Sequence, residues 1–167
     1  MLILIKTFLD IALLRKGPDA LPAVWLVVYV AAGLWLVGIA AMAAVVPDLS
    51  LGDMTTDVAG WALSIALFAI VIAATGFSAR LPQALGAIAG TGSVILFAQV
   101  VAAAVLIPLQ GPAGAGAALE LLLLWSIFVK GRIVATAINV HVLIGVAISI
   151  IVYILRFLAS YSLASTG

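Results

Sequence analysis

The chain has 167 residues, of which 67% are hydrophobic and 8% charged, with a formal net charge of +1. Soluble domains carry about 25% charged residues, so this composition excludes a water-soluble globule and implies one helical, polytopic membrane domain over 1–167. The few basic residues lie between apolar runs, which excludes a nucleic-acid partner, and the absence of cysteine excludes disulfides, haem attachment and thiolate metal sites.

The opening segment "MLILIKTFLDIALLRKGPDALP" has no positive residue ahead of its apolar part, and Lys6 and Asp10 interrupt it, so it is read as a retained segment rather than a cleaved signal. Lys6, Thr7 and Asp10 share one narrow helical face while Leu2, Leu4, Ile5, Phe8, Leu9 and Leu13 cover the rest. That pattern predicts an interfacial amphipathic helix over 1–16, ended by Gly17 and Pro18. The first span is predicted over about 22–46, with Trp25 and Tyr29 at headgroup level near its start. The connector "PDLSLGDMTTD" carries Asp48, Asp53 and Asp57. Their spacing fits no established cation-binding loop, and a solvated loop is expected.

A second span is predicted over about 58–77 and, after "SARLPQ", a third over about 84–107. Within the third, Gly86, Gly90 and Ser93 form a small-residue stripe that permits close helix packing. Gln99 is its most polar deep side chain, with Thr91 and Ser93 one or two turns before it. From Ala117 to Leu158 run about 42 residues, roughly 63 Å as one helix and about twice the hydrocarbon thickness. This stretch must cross twice, and spans are predicted over about 117–133 and 142–158. Lys130 and Arg132 are then expected to meet headgroups at the end of the fourth span, with His141 at the start of the fifth. Fold class is therefore an all-α transmembrane bundle of five spans plus the N-terminal interfacial helix.

Basic residues of short loops stay in the cytoplasm. With the N-terminus inside, Lys6, Arg15, Lys16, Arg80, Lys130 and Arg132 share that side, and only Arg156 falls near the other. The expected location is a bacterial inner membrane, with a cytoplasmic N-terminus and a periplasmic C-terminus.

The five spans with short loops, the "LRKGPDALP" lead, and "LLLLWSIFVKG" followed by "GVAISIIVYILRFL" resemble the Yip (Rab/Ypt-interacting) family of five-span membrane proteins, in a compact bacterial form. The resemblance runs over nearly the whole chain. Its motifs are Gly17-Pro18 before the first span and Trp125 through Gly131 in the fourth. Eukaryotic relatives have a longer cytoplasmic N-terminal region and act with small GTPases; this chain has about 21 residues there, and that partner is not carried over.

No phosphate-binding glycine loop or H-E-x-x-H motif is present, and neither catalytic residues nor a cofactor or metal are expected. The first functional reading is a non-enzymatic protein that organises or helps assemble other membrane components. Lys16, Arg80, Lys130 and Arg132 would contact lipids or partner proteins, and homo-oligomerisation through the Gly86/Gly90 face is open. The alternative is a small-solute transporter or channel subunit with a polar path along Thr91, Ser93 and Gln99.

Overall fold

Hydrocarbon offers no hydrogen-bond partners, so a spanning backbone must satisfy itself as helix. A computed structural model describes residues 2–46 and 50–164. Among the described residues the chain is all-α. Helix α1 spans Leu2–Ala12, α2 Trp25–Val45 and α3 Leu51–Ala74. The run Leu81–Ile138 is broken at Gly111, where φ is 73° and ψ 173°, a conformation open to glycine alone. Its arms are α4 (81–110) and α5 (Ala113–Ile138), and a contact from Gln99 to Leu119 shows that they fold back on each other as a hairpin. Helix α6 spans Val142–Ala164.

Five segments are long and apolar enough to cross a membrane: Trp25–Val45, Leu51–Ala74, Ser78–Gly111, Ala113–Ile138 and Val142–Ser162. Their alternating directions define two faces. The near face holds the starts of α2, α4 and α6 and the ends of α3 and α5, and α1 docks into its half of the bundle. The far face holds the start of α3, Gly111 and the end of α6.

Several helix ends depart from the sequence reading, each for a local reason. Helix α3 begins at Leu51 rather than near 58, because Ser50 and Asp53 form a capping box. Ser50 Oγ accepts from the Asp53 N–H at 3.1 Å, and the Asp53 carboxylate accepts from the Ser50 N–H at 3.0 Å. Helix α5 continues to Ile138 rather than about 133. Nothing in "IVATAI" breaks a helix, and Asn139, at φ 56° and ψ 48°, supplies the left-handed stop. His141 Nδ1 then accepts the Leu143 N–H at 3.3 Å and caps α6.

Helix α1 ends at Ala12, short of Gly17. Leu14 takes φ 60°, the left-handed position usually given to glycine, and the Arg15 N–H returns to the Asp10 carbonyl at 2.8 Å. That conformation is strained for leucine, and α5 holds it in place. Arg132 Nη1 donates to the Leu14 carbonyl at 2.7 Å, and Trp125 Nε1 donates to the Ala12 carbonyl at 2.9 Å. The Lys16 ammonium stands 2.9 Å from the Asp10 carboxylate. Its hydrogen bond holds the Asp10 carboxyl below the ordinary value, so this contact persists at neutral pH and is lost only as pH falls through that lowered pKa.

Helix α2 packs along α4, α6 along α5, and α3 against α6 and the hairpin. Lipid tails are as apolar as leucine, so association depends on close fit. The small-residue stripe of α4 supplies it. Gly86 faces Val27 of α2, Gly90 receives the Phe8 ring of α1, and Ser93 Oγ donates to the Ala31 carbonyl of α2 at 2.9 Å. Helices α5 and α6 cross backbone to backbone: a Cβ on Gly131 would lie 2.6 Å from Val146 Cα, and one on Gly145 would strike the Gly131 carbonyl. An apolar core fills the near half, with Phe8, Ile72, Ile88, Ile133 and Val134 almost wholly buried.

Replacing Gly90 with leucine is expected to displace Phe8 and destabilise the bundle by about 1–3 kcal/mol, the usual scale of overpacking. A lowered melting temperature in detergent is the readout. Gly92→Ala, whose Cβ would meet nothing within 4 Å, is expected not to lower it.

Candidate functional site

Three helices carry polar side chains on one stripe of an otherwise apolar surface. On α3 these are Asp57 and Ser64 with Gly60 between them, on α5 Ser126 and Lys130, and on α6 Ser149, Tyr153, Arg156 and Ser160. Spacings of three and four residues keep each set on one face. The bundle turns these faces toward one another in its far half.

Helical side chains lean toward the N-terminus of their helix. Helix α5 starts at the far face and α6 at the near face, so Lys130 and Arg156 lean toward each other along the membrane normal. Between them lies a cavity of about 250 Å³, lined by Trp35, Asp57, Trp61, Gly92, Gln99, Ser126, Lys130 and Arg156 among others. All five spans contribute to its wall. A smaller void of about 30 Å³ adjoins Ser64, Ser126, Lys130, Ser149 and Tyr153. A third hollow of about 250 Å³, at Asp57, Tyr153, Phe157 and Ser160, borders Arg156 on the side toward the far face. Arg156 and Leu123 border all three, so these neighbouring hollows make up a crevice of mixed polar and apolar lining.

Arg156 Nη2 donates to Asp57 Oδ1 at 2.9 Å, and Asp57 is 53% exposed, which places the pair at the crevice mouth. Gly60 makes room for the guanidinium: a Cβ there would stand 2.9 Å from Arg156 Nε. Trp35 and Trp61 stack at 4.8 Å and 18° to form an aromatic wall. Deeper in, the Lys130 ammonium makes no hydrogen bond or ion pair with any described residue. A basic residue at the centre of a span costs about 2.5–3.5 kcal/mol on insertion scales, and here it stands in a polar hollow. Ser149, only 2% exposed, has an Oγ without a hydrogen-bond partner among the described residues. Below this level, Val129, Ile133 and Val134 are buried and close the bundle toward the near face.

Lys130, expected at the end of its span, lines the cavity. The helix runs eight residues past it, about 12 Å at 1.5 Å per residue, and its side chain leans away from the near face. The other basic candidates do lie in the near half. Arg132 holds Leu14, Lys16 pairs with Asp10, and Arg80 Nη1 donates to the Thr136 and Ala137 carbonyls at 3.3 and 3.2 Å.

The polar path expected along α4 is also rearranged. Gln99 lines the crevice and donates to the Leu119 carbonyl at a long 3.4 Å. Thr91 is instead buried, bonding the Ala87 carbonyl at 2.7 Å, and Ser93 is sealed against α2. Of the three loop carboxylates, Asp48 lies outside the described residues, Asp53 caps α3 and Asp57 holds Arg156. No group of three or more His, Cys, Asp or Glu capable of holding a metal occurs among the described residues.

Asp57, Ser126, Ser149, Tyr153 and Arg156 went unrecognised as a site in the sequence. Their signal was the regular three- and four-residue spacing of polar residues on α6 and α5. No family model, curated protein or solved structure matches the chain.

Because Asp57 is half-exposed, Asp57→Asn is expected to change stability by less than about 1 kcal/mol, the range of exposed ion pairs. Thermal unfolding in detergent checks this. A much larger loss would make the pair a structural staple rather than an openable one.

Proposed function

We propose that this chain is a non-enzymatic, multi-pass membrane protein that admits a small polar solute from the far face into the crevice, as a transporter or solute-binding subunit. The observation that supports this is the unpartnered Lys130 in a polar hollow between all five spans. A bundle serving only as a scaffold has no need of a charge within a span, and facing a solute or ion pathway is one of the established roles of intramembrane ionisable groups. The apolar core toward the near face would make this the state open to one side, and alternating access then requires that core to part.

The absence of native cysteine gives a direct test. Ser126→Cys should react with a small, water-soluble methanethiosulfonate reagent added to the far side, while Leu124→Cys on the outer surface of the same helix should not. No reaction at Ser126→Cys from either side would sink the solute reading.

For orientation, the near face is assigned to the cytoplasm of a bacterial inner membrane, because Lys6, Arg15, Lys16, Arg80 and Arg132 cluster in its half. Ser78→Cys should then label only from the cytoplasmic side and Gly52→Cys only from outside. Labelling of both from one side would overturn the five-crossing topology.

The second reading, organisation of other membrane proteins as the Yip-like features suggest, is favoured by a different observation. The far halves of α2 and α3 leave an apolar cleft of about 470 Å³, walled by Leu36, Ile39, Leu51, Met54 and Val58. A helix of another membrane protein would fill it by close packing. Crosslinking from Leu36 or Val58 in native membranes separates this reading from the first, since it requires a protein partner at that cleft.

A further inference from the structure

The crevice has a sign. Lys130 and Arg156 bring two positive charges to its wall, Asp57 brings one negative charge, and no other charged side chain lines any of its three hollows. The site therefore holds one uncompensated positive charge. It also holds hydroxyl donors: Ser126 lines two of the hollows, and Ser149 Oγ is buried without a partner beside the smallest of them. A hydroxyl hydrogen and an ammonium converging on one void make a combination that an acceptor satisfies and a donor does not. The void of about 30 Å³ is large enough to hold a water-sized group.

We infer that the crevice is an oxyanion site, taking a solute that bears a carboxylate or a phosphate. This deepens the solute reading above and rests on it. One oxygen of the anion enters the void between Lys130 and Ser149, and Ser126 donates from the side. Arg156 meets the anion from the mouth. There Asp57 is the internal counter-anion: it holds the guanidinium when the site is free, and the incoming anion competes for the same donors. Because Asp57 is half-exposed, it can turn to water when the guanidinium is taken. The stacked Trp35 and Trp61 give the solute's organic part an apolar surface.

The test uses the full chain in phosphatidylcholine nanodiscs, with Ser126→Cys as the reporter and Gly52→Cys as the reference for each reagent's intrinsic rate. An anionic sulfonatoethyl methanethiosulfonate should modify Ser126→Cys about tenfold or more faster than the cationic trimethylammonium reagent, the factor expected for one unscreened charge contact of about 1.4 kcal/mol. Inorganic phosphate or acetate should slow the modification in a saturable way, and choline should not. Adding Lys130→Gln should abolish both the preference and the protection, while Lys130→Arg should keep them. This conservative variant guards against loss of fold. Equal rates for the two reagents, or protection by choline instead of the anions, would overturn the oxyanion inference and leave the hydrated crevice standing. No reaction with either reagent would overturn the solute reading itself. If phosphatidylglycerol in the nanodisc alone protects Ser126→Cys, the oxyanion chemistry stands but belongs to a lipid headgroup, and the solute reading falls.

Discussion

A charge on a spanning helix has to be hydrated, paired or moved to the surface, and Lys130 forces that choice on this bundle. Its helix extends well beyond it toward the near face, and its side chain leans the other way, so the surface is out of easy reach. The surrounding helices answer by bringing their polar stripes inward. Ser64 and Asp57 on α3, Gln99 on α4, and Ser149, Tyr153 and Arg156 on α6 all turn toward the α5 stripe of Ser126 and Lys130. The division of the bundle follows: a near half with an apolar core, whose polar hollow at Asp19, Arg80, Gln83 and Asn139 lies at its end, and a far half that keeps an interior hollow.

Packing in the near half is achieved without the usual hydrophobic driving force. Removing Phe8 from lipid rather than from water gains only contact, so fit decides, and Gly90 provides that fit by leaving space for the ring. The same logic explains why α1 is fastened by directional bonds. Trp125 and Arg132 donate to the Ala12 and Leu14 carbonyls, beyond the Leu9, Asp10 and Ile11 carbonyls that the closing turn of α1 satisfies itself. A segment whose exposed face is as apolar as lipid needs such bonds to have one position.

The existence and number of spans were legible because they follow from length and hydrocarbon thickness, which a single sequence states outright. The reading of Lys130 as a boundary residue rests on the same reasoning and on an early end to its helix. Helix α5 does not stop after "KGRI" but runs on to Asn139, the first residue suited to a left-handed stop. Those five additional residues of helix leave Lys130 well short of the helix end and lining the cavity. Asp57 and Arg156 lie far apart in sequence, and nothing in either local context announces the pair; only the tertiary arrangement of α3 beside α6 does. Gln99 drew attention by its polarity, but Ser149 did not. A lone serine in a spanning helix normally bonds its own backbone, as Ser64 and Thr91 do here, and its lack of a partner is invisible before the neighbours are placed.

The backbone contact between Gly131 and Gly145 has a mechanical consequence for α6. Two helices touching through bare backbone cannot slide past each other without collision, but they can rock about the point of contact. That point acts as a fulcrum, and the length of α6 from Gly145 to Arg156 is a lever arm of about eleven residues, or roughly 16 Å. A tilt of about 5° would carry the guanidinium roughly 1.4 Å, enough to break a hydrogen bond made at ordinary distance. Helix α5 is tied to the end of α1 at Trp125 and Arg132. Small rocking of α6 thus becomes a change in the width of the crevice mouth, while the floor at Lys130 keeps its place.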